Sequence, residues 1–167
     1  MTRIVPVLLL RLVERWFSLA STYVKWDDHI THFFKVFAGV RQSGALSPCL
    51  FAIYVDNVVN KIYNSGLRCN LSFICTSVFM YAGDILLLSP SVHALQAMLL
   101  ICEQELLTLD LCLNHNKSVC IRVGPRFNTD CIKLTTCNGH ELDWVNTCGY
   151  LGVFFVTGRS FKCSWEK

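Results

Sequence analysis

The sequence predicts an α+β domain in which helices pack on one face of an antiparallel sheet. Three observations lead there. Apolar residues recur at helical spacing in separate stretches, and short β-branched apolar runs are joined by turn residues. The order is helix, hairpin, helix, hairpin, helix and then strands, which segregates helices onto one side of a sheet.

Each element has its own signal. Leu8, Leu9, Leu12, Val13, Trp16 and Leu19 give a helix over residues 5 to about 20. Thr22 to Trp26 and His32 to Ala38 read as strands, with Asp27-Asp28 in the turn between them. Ser47-Pro48 opens a second helix through Phe51, Tyr54, Val55, Val58 and Ile62, because serine caps orphan N–H groups and proline suits the first turn. Asn64-Ser65-Gly66 closes it. Leu71 to Met80 and Ile85 to Leu88 form a hairpin around Tyr81-Ala82-Gly83-Asp84. Ser89-Pro90-Ser91 starts a third helix, striped by Leu95, Leu99, Cys102, Leu106, Leu109 and Leu113 and ended by Asn114 to Lys117. Val119 to Val123, Ile132 to Thr136 and Leu151 to Val156 read as strands, with Asn138-Gly139 as a turn.

Composition bounds the function classes. A chain of 167 residues suits one domain, and 53% hydrophobic against 16% charged residues excludes a disordered chain. The net charge of +3 is too thin for a dense nucleic-acid face. The 10 cysteines form no C-x-x-C pair, so neither a zinc framework nor a disulfide scaffold is expected. Cys102 and Cys112 lie in apolar stretches and read as small buried hydrophobes. The run Ile4 to Leu10 contains Pro6 and meets Arg11 and Glu14, so it is too short to span a bilayer and too broken for a leader. The expectation is an intracellular chain, nuclear or cytoplasmic, not secreted and without a membrane partner.

Several stretches, taken in order, carry a resemblance. They begin with Gly39-Val40-Arg41-Gln42-Ser43-Gly44-Ala45-Leu46-Ser47-Pro48 and its helix Leu50-Phe51-Ala52-Ile53-Tyr54-Val55-Asp56. Tyr81-Ala82-Gly83-Asp84-Ile85 follows, then Leu95-Gln96 through Met98-Leu99 and Cys102, then Leu113-Asn114 and Lys117-Ser118, and last Tyr150-Leu151-Gly152-Val153. Together they resemble the palm of the reverse transcriptase of non-LTR (LINE-type) retrotransposons, an RNA-directed DNA polymerase family. The resemblance implies a single truncated domain over 1–167. A connecting helix and hairpin would fill about 1–38, the palm 39–125, and the end of the palm with a primer-grip-like hairpin 126–167. It implies template and nucleotide contacts for Arg41, Gln42, Ser43, Tyr81, Ala82 and Lys117, and primer contact for Tyr150, Leu151 and Gly152. RNA template and DNA primer are the family's partners, and Mg²⁺ is its cofactor.

The departures matter more than the matches. Nucleotidyl transfer in this family uses two metal ions, which need carboxylates converging from separate strands. In the family one aspartate lies on a strand upstream of the arginine-glutamine loop. No aspartate stands in an apolar strand before residue 39, and Asp27 and Asp28 read as turn residues. Gly83 occupies the hairpin's first aspartate position, so Asp84 is the sole remnant and vestigial metal ligand. Ser43 replaces a glycine where backbone approaches the template. His29 and His32 have metal-like spacing but flank a turn and read as solvated. The expectation is therefore a catalytically inactive fragment that holds no cofactor and no stable small-molecule substrate, and binds nucleic acid weakly or not at all. The alternative is a retained nucleic-acid-binding or interaction module without catalysis.

Overall fold

The computed structural model describes residues 5–37, 39, 44–67, 69–71 and 74–165. The chain divides into two compact units, Met1–Ser47 and Pro48–Lys167. In the first, α1 (Val7–Ser18) begins after Pro6, whose carbonyl accepts from the N–H groups of Leu9 and Leu10. No α1 side chain is buried. A ladder follows: β1 (Ser21–Thr22), β2 (Lys25–Trp26), β3 (His29–Ile30) and β4 (Phe34–Lys35). β2 pairs with β3 inside the outer pair β1–β4. Asp27-Asp28 form the inner turn, with Asp27 at φ 49°, a left-handed conformation aspartate tolerates. The second strand of this hairpin thus reaches back to His29, while Ala38 lies outside the described residues.

The second unit holds the core. The single helix expected from Ser47 to Ile62 is two, α2 (Ser47–Tyr54) and α3 (Asp56–Asn64). They divide at Val55, where Val58 N–H bonds the Val55 carbonyl three residues back and tightens the backbone. The strand expected from Leu71 to Met80 is also divided. β5 (Asn70–Leu71) pairs with β6 (Ile74–Cys75), and β7 (Val78–Tyr81) pairs with β8 (Asp84–Leu87). Thr76-Ser77 cause the break. Thr76 donates to the Cys69 carbonyl from both N–H and hydroxyl, and the buried Ser77 hydroxyl accepts from Cys69 N–H at 2.6 Å. Side-chain hydroxyls here displace ladder bonds.

Then comes α4 (Val92–Thr108), capped by Ser91, whose hydroxyl accepts from Ala94 N–H at 3.1 Å. It stops five residues short of the expected Leu113. Asp110 turns left-handed at φ 55°, Asp110 N–H bonds Leu107 O, and Leu111 N–H reaches back to Leu106 O at 2.9 Å. These are the two bonds of a Schellman motif, with Leu111 packed on the cluster that contains Leu106. Cys112, expected inside, is consequently exposed, whereas Cys102 is buried.

The remaining strands are β9 (Leu134–Thr135), β10 (Glu141–Leu142), β11 (Thr147–Tyr150), β12 (Val153–Val156) and β13 (Lys162–Ser164). β9 pairs with β10, and β12 lies between β11 and β13. The expected strand at 119–123 forms only isolated parallel bridges, Cys120 to Trp144 and Val123 to Gly158. Leu151 belongs to a turn rather than a strand: Leu151 and Gly152 both have positive φ, 52° and 80°, between β11 and β12. The fold is mixed α and β with antiparallel sheets, carried by several small sheets among the described residues.

Two apolar clusters flank α4. Val55, Val58 and Ile62 meet Met98, Cys102 and Leu106 on one side, with Val78, Met80, Ile85 and Leu87 of the β7–β8 hairpin against them. Leu99, Cys120, Leu134 and Leu142 form the other. Gln96 joins α4 to β9: its side-chain amide donates to Thr135 O at 2.7 Å and accepts from Thr135 N–H at 2.8 Å, as a neighbouring strand would. Among the described residues, every buried side-chain nitrogen and oxygen has a partner, and no helix is long and apolar enough to cross a membrane.

Candidate active site at the hairpin tip

The β7–β8 hairpin is positioned by its inward face. Val78, Met80, Ile85 and Leu87 pack against the first cluster, so Phe79 and Tyr81 fall on the open face by strand alternation. Tyr81 pairs with Asp84 across the turn Ala82-Gly83. Ala82 takes φ 47°, which a residue with a Cβ adopts only under constraint. A Cβ at Gly83 would meet nothing within 4 Å. Asp84 is exposed.

Ala82 also lines a cavity of about 210 Å³ with Phe51, Ala52, Val55, Asp56 and Met80. Asp56, which opens α3, accepts from Asn60 Nδ2 at 3.1 Å and brings a second carboxylate to the neighbourhood of the turn. The sequence stretch Tyr54-Val55-Asp56 was legible as a helix only. The division of the helix at Val55, which sets where Asp56 stands, has no signal in the apolar spacing.

Tyr150, at the end of β11, is half-buried. Burial raises its phenol pKa, and the nearby Asp84 carboxylate raises it further. Tyr150 thus lies within electrostatic reach of Asp84, although 66 positions separate them in the sequence. Leu151 and Gly152 make the adjoining turn. Lys117 sits in the turn His115–Lys117, beyond α4 and exposed, with its backbone N–H bonded to Asn114 O. It is not the last turn of a helix, because α4 has ended at Thr108. Arg41, Gln42 and Ser43 lie outside the described residues.

A magnesium pair would require several convergent oxygens. Among the described residues, no three His, Cys, Asp or Glu side chains are grouped so as to hold a metal ion. At the tip itself Gly83 brings no donor and Asp84 brings one carboxylate, so the donor set does not fit a metal pair.

The family model described as reverse transcriptase (RNA-dependent DNA polymerase) matches residues 5–155. No curated protein matches the chain.

Proposed function

The chain belongs to the reverse transcriptase (RNA-dependent DNA polymerase) family, and from that premise we propose that it is a catalytically silent member derived from a non-LTR retrotransposon. The family binds nucleic acid. The motif order from Gly39 to Val153 supports the non-LTR origin. One observation carries the silence: the hairpin tip holds Gly83 beside Asp84 where the family's motif has two aspartates.

The physical reason is ligand count. A lone exposed carboxylate cannot hold two hard divalent ions against water. Removing even one electrostatic contact to developing charge costs about 10²-fold or more in rate, and here the seat for both ions is incomplete. On this reading Arg41, Gln42, Ser43, Tyr81, Ala82 and Lys117 are inherited template- and nucleotide-facing positions, and Tyr150, Leu151 and Gly152 an inherited primer-side hairpin. Duplex binding is weak or absent, because +3 spread over the chain supplies few phosphate contacts. The chain acts inside the cell.

Primer extension tests the proposal. The full chain, with an RNA template, a DNA primer and Mg²⁺ or Mn²⁺, is expected to add no nucleotide. Extension above a no-protein control would overturn it.

A further inference from the structure

A second polar site lies away from the hairpin tip. Residues 124–131 form a loop that leaves the bridges Cys120 to Trp144 and Val123 to Gly158, and Trp144 Nε1–H, donating to Ile132 O at 3.1 Å, holds its far end. The loop folds over a cavity of about 220 Å³. Arg122 Nη1 holds the loop closed, donating to Arg126 O at 2.7 Å, Thr129 O at 2.9 Å and Thr129 Oγ1 at 2.8 Å. Its guanidinium carbon lies 5.3 Å from the centre of the Trp144 ring. These contacts commit one nitrogen of the fork. Nη2 and Nε make no protein hydrogen bond among the described residues.

Two other polar residues line the same cavity, Asp130 and Asn146, and neither side chain has a protein partner among the described residues. Trp144 and Phe127 add aromatic surface. The lining thus presents a donor-only cation, an acceptor-only anion, an amide that does both, and flat apolar faces. A simple anion suits Arg122 but meets Asp130. A simple cation meets the reverse conflict. A planar molecule with acceptors along one edge and donors along another satisfies both charges at once. Guanine has that pattern: O6 and N7 accept on one edge, N1–H and the N2 amino group donate on the next. Adenine alternates donor and acceptor and leaves one of the two charged groups facing a like function.

We propose that this cavity is a guanine-base site, with Arg122 on the acceptor edge, Asp130 on the donor edge, and an aromatic face supplied by Trp144 or Phe127. It departs from the sequence's expectation of no bound small molecule and does not depend on whether the hairpin tip is silent. The base is supplied by a free nucleotide or by an unpaired guanine in a single strand.

Titration of guanosine 5′-monophosphate into the full chain tests it, read by tryptophan fluorescence and by protection of Cys131, which lines the cavity, from maleimide. Saturable binding is expected, with guanosine monophosphate preferred over the adenosine and cytidine monophosphates by about tenfold, the discrimination of one two-point contact. Asp130→Asn is expected to lose about that factor for the guanine ligand, with melting unchanged because Asp130 is exposed. Asn146→Ala, also exposed, gives a second variant with the same sign. An oligoguanylate competing far below the mononucleotide concentration would assign the base to a strand; equal competition assigns it to the free nucleotide. No saturable binding, equal affinity for the three nucleotides, or an Asp130→Asn protein that binds like the parent would each overturn the site.

Discussion

The two ends of the β7–β8 hairpin contrast sharply. Its body is packed: Val78, Met80, Ile85 and Leu87 lie against a cluster in which Val58, Ile62 and Met98 are fully buried. Its tip carries an exposed Asp84 and a Gly83 with open space around it. The body is what the fold needs and the tip is what the chemistry needs. A chain can keep the first without the second because burial, not the tip's charge, supplies the free energy that holds the hairpin in place.

The largest effect that tests this contrast is a deletion in the packed half. Met98→Ala is expected to destabilise the chain by about 2–5 kcal/mol, through lost transfer energy and the cavity left behind. Asp84→Asn at the tip should change stability by no more than about 0.5 kcal/mol. Denaturant melts of the two variants compare them directly. Similar losses in both would mean that the tip is part of the structural frame.

Alkaline pH probes the same core without mutation. Burial, followed by the charge of Glu103, pushes the Cys102 thiol from 9.0 up to about 12. Burial likewise raises Cys120 to about 11. Below pH 9 the thiols are protonated in both states and their contribution is fully present. Above it the unfolded chain releases protons that the folded chain retains, so stability falls as pH rises through 9 toward about 12. The slope is about 1.4 kcal/mol per pH unit for one such group. Melting curves between pH 8 and the alkaline limit should show the fall, and Cys102→Ala should make it shallower. A flat profile would put these thiols in water.

A smaller effect is expected at the start of α4. Ser91→Ala removes the hydroxyl that accepts from Ala94 N–H, and should lower stability by about 1 kcal/mol. Thermal melting measures it, and an unchanged midpoint would mean that the helix begins without its cap.

Ser91 also shows what was readable in advance. The helix start at Ser89-Pro90-Ser91, the apolar stripe through Leu99, Cys102 and Leu106, the Asp27-Asp28 turn and the Tyr81–Asp84 hairpin all follow from local residue chemistry. What was not readable depended on competition between distant groups. Ser77 and Cys69 split an apolar run by exchanging bonds across eight positions. Asp110 ended α4 by adopting a left-handed conformation in the midst of leucines. Val55 divided one helix into two at a buried valine. The approach of Tyr150 to Asp84, and of Arg122 to Trp144, belongs to the same class, because no periodicity records which loop closes on which.

The smallest expected effect is the most informative about the tip. Gly83→Asp adds a side chain where a Cβ meets no atom within 4 Å, at a glycine that does not occupy the left-handed region. Its carboxylate would stand beside Asp84 in open solvent, where salt screens the repulsion. Stability should therefore change by no more than about 0.5 kcal/mol. Primer extension should remain absent, since among the described residues no strand brings a third carboxylate to the turn. Extension by this variant would show that a carboxylate already present, Asp56 being the one that shares a cavity with Ala82, completes the seat. A loss well beyond 0.5 kcal/mol would show instead that glycine at 83 serves the fold rather than marking an absent ligand.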